Sequence, residues 1–112
     1  MSLIIEMCVD SVESALAAQV GGAQRVELCA DLLEGGTTPS HGTMVSTRQA
    51  LSSIDMNVII RPRGGDFIYS QAEYTVIKQD LLHAKECGAD GVAIGLLNAD
   101  GTVDKERTAE LI

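Results

Sequence analysis

At 112 residues, 46% of them hydrophobic and 21% charged, the chain is sized for one globular unit with a single core. Sixteen acidic residues against eight basic ones give a formal net charge of -8, which repels phosphate backbones and anionic lipid surfaces and argues against nucleic-acid or membrane partners. No apolar run approaches the ~18 residues of a membrane span. There is no secretory-type start and the cysteines number three, so a cytoplasmic chain with reduced thiols is expected.

In chain order, the apolar run Leu3 to Val9 predicts a first strand carrying Glu6 and Cys8. Asp10-Ser11-Val12-Glu13 then reads as a capping box with Asp10 as the cap, opening a helix whose apolar face is Val12, Leu16 and Val20. Gly21 and Gly22 stand where a helix C-cap belongs. A second strand, Val26 to Cys29, repeats the Glu-x-Cys pattern with Glu27 and Cys29. After the loop "ADLLEGGTTPS" comes a weaker helix marked by Met44, Val45, Arg48 and Leu51, and then a third strand from Met56 to Ile60. "RPRGGDFIYS" leads into a third helix with Tyr74, Ile77, Leu81 and Ala84 on one face, closed near Gly88. Val92 to Leu97 supplies a fourth strand, and a final helix begins near Asp104.

Strict strand-helix alternation implies an α/β fold of parallel strands joined by right-handed crossovers, with the helices outside. The turns from helix to strand are short, whereas the loops from strand to helix are long and polar, which puts a site at the strand C-terminal ends. "SALAAQVGGAQRVELC" laid over "DLLHAKECGADGVAIG" matches at Leu16/Leu82, Ala18/Ala84, Gly22/Gly88, Ala23/Ala89 and Val26/Val92. Such a repeat favours a (β/α)8 TIM-barrel-like fold over a doubly wound sheet. A full barrel needs roughly 250 residues, so residues 1–112 correspond to the first four βα units, a half barrel. Its first and fourth strands are expected to be unpaired edges, which a second copy could close as a homodimer.

Alternation in a barrel strand places Glu6 with Cys8, and Glu27 with Cys29, on inward faces, while Met7 and Leu28 face the helices. Neighbouring parallel strands lie ~4.8 Å apart, about twice a metal–thiolate bond, so Cys8 and Cys29 are candidate ligands for low-coordinate Cu(I). The competing reading is that both thiols simply pack as small apolar groups. Arg61 also follows the inward alternation, and Arg63-Gly64-Gly65-Asp66 forms a tight loop over the mouth. Two guanidiniums beside two glycines suit a carboxylate or phosphate; alternatively Arg61 pairs internally with Glu6 or Glu27. His41 is a lone loop histidine, His83 reads as a surface residue, and Cys87 reads as packing on the opposite rim. "NADGT" lacks the acidic spacing of a calcium loop.

Taken together, "EMCVDSVESALAAQVGGAQRVELCADLLEGGTTPS", "RPRGGDFIYS" and "AKECGADGVAIGLLNADGTVD" resemble the CutC family of copper homeostasis proteins. The resemblance runs from Ile5 to the last residues and implies a TIM-barrel-like fold, a cytoplasmic location, frequent homodimerisation and a role in copper handling. Copper(I) binding at cysteines is implied for Cys8 in "EMCVDS" and Cys29 in "VELCADL". Family members continue through four further βα units that are absent here, so an inactive fragment is one reading. The residues name no reaction. The expected function is cytoplasmic Cu(I) binding through Cys8 and Cys29, with Glu6, Glu27, Arg61, Arg63 and Asp66 shaping the pocket. The alternative is a barrel enzyme acting on a small anionic metabolite, with Arg61 and Arg63 as anion clamp and Glu6 or Glu27 as acid or base.

Overall fold

In the computed structural model, which describes residues 2–112, four parallel strands form one sheet in the order β1-β2-β3-β4. The strands are β1 (Glu6–Val9), β2 (Arg25–Leu28), β3 (Asp55–Ile59) and β4 (Gly91–Ala93). The helices that separate and follow them are α1 (Val12–Val20), α2 (His41–Ala50), α3 (Gln71–Glu86) and α4 (Lys105–Leu111). Sequential order with every neighbour parallel is half of a TIM barrel, as the alternation predicted. The two outer strands are shorter than the apolar runs that announced them. Each has one neighbour instead of two, and residues without a ladder partner drop out of the strand.

Period-2 alternation divides the sheet into two unlike faces. Val26, Leu28, Met56 and Val58 are fully buried under the helices, against Ala15 of α1, Met44 and Thr47 of α2, and Tyr74, Ile77 and Ala84 of α3. The opposite, concave face carries Glu6, Cys8, Arg25, Glu27, Asp55 and Asn57, which are exposed or half-buried. The first helix departs from the expected apolar face. Leu16 is partly exposed and Val20 strongly so, because the contact with the sheet falls on Ala15 and Ala18, whose small side chains let the helix approach closely. Its cap is Ser11, whose Oγ accepts from Ser14 N at 3.0 Å; Asp10 does not fill that role.

The internal repeat is a repeat of bonding. After α1, Gly22 N–H donates to Gln19 O and Ala23 N–H to Ala18 O; after α3, Gly88 N–H donates to Lys85 O and Ala89 N–H to Ala84 O. These are two copies of one Schellman cap, and the left-handed residue each requires is glycine, Gly22 (φ 100°) and Gly88 (φ 94°). Beyond each cap the next polar side chain reaches back to the start of the preceding strand or the residue just before it. Gln24 Oε1 accepts from Ile5 N at 2.7 Å, and Asp90 Oδ2 accepts from Met56 N at 2.8 Å.

Candidate functional site

The strand register sets the levels of the concave face. Glu6 lies beside Arg25, and Cys8 beside Glu27, which in turn lies beside Asn57. This corrects the expectation that Cys8 and Cys29 sit abreast. The barrel stagger offsets equivalent residues of β1 and β2 by 19 rather than 21 positions, so Cys29 stands a layer above Cys8, just past β2, with its N–H donated to Val9 O at 2.8 Å. The two thiols nonetheless meet at one group. Cys8 Sγ lies 3.8 Å from Glu27 Oε2, and Cys29 Sγ lies 3.9 Å from Glu27 Oε1. Cys29 is buried and Cys8 exposed.

Beneath this layer, Arg25 Nε donates to Glu6 Oε2, and Asn57 Nδ2 donates to the same oxygen at 3.3 Å. Neither Arg25 nor Asn57 stood out in the sequence, since each reads as an ordinary polar residue of an alternating strand. The Asn57 carboxamide has room because its neighbour on β4 is Gly91, where a Cβ would come within 2.6 Å of Asn57 Oδ1. Arg25 balances Glu6, whereas Glu27 pairs with no basic side chain among the described residues. Burial, and then the Glu6 carboxylate, hold Glu27 above the usual carboxylate range. Burial and the Glu27 charge raise both thiols, Cys29 to about 12. Around neutral pH both are therefore thiols.

Arg61 does point inward, but it pairs with neither Glu6 nor Glu27. Its guanidinium enters the loop after β2, where Nη1 donates to Glu34 O and to Gly36 O at 2.5 and 2.9 Å, and Nη2 donates to Gly65 O at 2.9 Å. Loop carbonyls far apart in sequence are nearer to this buried cation than the strand carboxylates, and they satisfy most of its donors. One side chain thus ties both loops across the mouth. Gly36 (φ 99°) lies on Cys29, where a Cβ would stand 3.3 Å from the sulfur, and this contact shelters the thiol. Arg63 is held by Glu73, by Asp66 Oδ1 at 3.2 Å, and by the carbonyls of Asp66 and Ile68. It also lies over the Tyr69 ring. Both guanidiniums of the expected anion grip are therefore committed to the chain itself.

Next to Arg61, Ile59, Phe67, Ala93, Ile94 and Leu97 line an open cavity of about 390 Å³ at the ends of β3 and β4. Cys87 lies apart from the other two cysteines, at the end of α3 in the helix layer.

A half barrel with a thiol- and carboxylate-lined concave face at its strand ends is the class of protein that the fold and site define. The chain belongs to the CutC family, whose model matches residues 3–112. It is 53% identical over 109 residues to the copper homeostasis protein cutC homolog of Mus musculus, and 52% identical over 109 residues to that of Homo sapiens. In each case the match covers 97% of this chain and 40% of the relative. A family protein CutC of Bacteroides thetaiotaomicron is 52% identical over 107 residues, covering 96% of this chain and 43% of that protein. The crystal structure of a CutC protein of Streptococcus agalactiae superposes with a TM-score of 0.92 at 34% identity, covering 99% of this chain and 54% of that one. The chain thus spans less than half the length of the curated relatives it matches.

Proposed function

We propose that the chain takes part in copper homeostasis in the cytoplasm by binding Cu(I) as cargo through Cys8 and Cys29. The observation that carries this reading is the placement of both sulfurs against the two oxygens of Glu27, a carboxyl group with no basic partner among the described residues. Two thiols and a carboxyl crowded together lack positive charge, and a soft monovalent cation supplies it while matching the sulfur donors. The names of the mouse and human relatives support the same cargo. Pairing of two copies along an open sheet edge belongs to this reading, supported by exposed Ile4, Ile5 and Met7 on the β1 side.

Because the ligand form is the thiolate and both thiol pKa values are raised, binding must expel protons, and affinity climbs as pH rises from 6 to 8. The test is a competition titration against a colorimetric Cu(I) chelator in a Cys87→Ser background. Cys8→Ser or Cys29→Ser should each weaken Cu(I) binding on the order of 10-fold or more. Unchanged affinity in both variants overturns the copper reading.

A second reading, a barrel enzyme acting on a small anionic metabolite, draws on Glu27 itself. A carboxyl held above its ordinary range beside Glu6 is suited to donate a proton at the mouth. With Arg61 and Arg63 occupied, the acid rather than the clamp supports it. Thermal stabilisation by phosphorylated metabolites but not by Cu(I) would favour this alternative.

A further inference from the structure

We propose that His41, His83 and Cys87 form a separate metal site in the helix layer, taking a borderline divalent ion of the zinc type. His83 and Cys87 are four residues apart on α3 and so share one face. His41 opens α2, whose cap is Ser40, and meets them from the neighbouring helix. His41 Nδ1 lies 3.0 Å from His83 Nε2, and Cys87 Sγ lies 3.5 Å from each of these nitrogens.

A hydrogen bond between two imidazoles explains one of those distances. The thiol is within sulfur hydrogen-bond range of both nitrogens, so the three donor atoms close a triangle on every side, which is also how ligands stand around an ion. Tetrahedral zinc, with bonds of ~2.0–2.1 Å to nitrogen and ~2.3 Å to sulfur, requires ligand separations of ~3.3 Å between nitrogens and ~3.6 Å between nitrogen and sulfur. The triangle meets those edges within ~0.3 Å. The rings are tilted by 40° with centroids 5.0 Å apart, so their nitrogen edges converge while the rings do not stack.

His41 is exposed and the other two residues are half-buried, leaving a fourth position open to water. Asp80 and Glu86, beside His83 in an adjoining groove, add negative potential suited to a divalent cation. Two imidazoles and one thiolate are a borderline donor set, which suits zinc better than a hard cation. Bound there, the ion would link α2 to α3. The reading of His83 as a surface residue and of Cys87 as packing missed this convergence. The His-x3-Cys spacing was its one visible trace.

Co(II), whose visible spectrum reports tetrahedral geometry and thiolate charge transfer, is the probe, with Zn(II) as competitor. The Cys8→Ser/Cys29→Ser double variant should still bind one Co(II) per chain with the thiolate charge-transfer band, and Zn(II) should displace it. Added to that double variant, Cys87→Ser should remove the band, and Cys87→Ser or His83→Gln should weaken binding ~100-fold. In the same double-variant background, His41→Gln, altering an exposed residue, should leave the metal-free melting temperature in place and abolish the rise produced by Zn(II). Loss of Co(II) binding in the double variant, retention of the band in Cys87→Ser, or a Zn(II)-induced rise that survives His41→Gln each overturns the proposal. None of these results depends on the outcome of the Cu(I) titration.

Discussion

The two faces of the same four strands differ in what completes them. Under the helices, Val26, Leu28, Met56 and Val58 are buried within this chain. On the concave face, Glu6, Glu27, Arg25 and Asn57 satisfy one another only in part, and Glu27 keeps a raised pKa. The helix-facing side is a closed apolar core, governed by packing; the concave side is a polar layer, governed by electrostatics and by loops tied across it. Buried apolar area, the main driving force for folding, lies on the helix-facing side.

Leu28→Ala breaks that comparison if it is wrong. Leu28 is fully buried on the helix side, so the substitution should cost about 4 kcal/mol, seen in urea as a lowered midpoint at unchanged slope. A loss below about 1 kcal/mol would mean that the helix-facing side is not the structural core. Arg61→Lys comes next. The charge stays, but a single ammonium cannot reach Glu34 O, Gly36 O and Gly65 O together, and the guanidinium contact over Phe67 goes. About 2 kcal/mol of stability should be lost. Faster proteolysis in residues 31–37 and 64–67 would locate the damage in the two loops rather than the sheet.

Patterns local in sequence proved legible, and levels between strands did not. The duplicated glycine caps, the start of α4 near Asp104 and the strand order followed from spacing and turn chemistry. Alternation correctly assigned Glu6, Cys8 and Glu27 to the concave face, but period 2 carries no information about stagger, and so Cys8 met Glu27 instead of Cys29. Arg61 was legible as inward-pointing and illegible as a tether, because its acceptors are backbone carbonyls, which every loop offers equally. The phase of α1 was misread for a related reason. Helical period allows several apolar stripes, and close packing against the sheet selected the alanines.

The smallest expected effect sharpens the comparison from the polar side. Glu27 has its pKa raised in the folded chain, first by burial and then by Glu6, so its ionisation opposes folding. Its stabilising contribution is complete below the ordinary carboxylate pKa and is lost as pH rises through the higher folded value. Glu27→Gln removes that loss while keeping the shape of the side chain. The variant should be more stable than the parent at pH 7, by roughly a few tenths of a kcal/mol once solvent screening of a half-exposed group is allowed for. The difference should vanish near pH 3, where the parent carboxyl is protonated as well. Thermal melts of both chains between pH 3 and 7 read this directly. A variant less stable at pH 7 would mean that the Glu27 carboxylate is held by a favourable partner, and that the concave face is electrostatically settled without a cation.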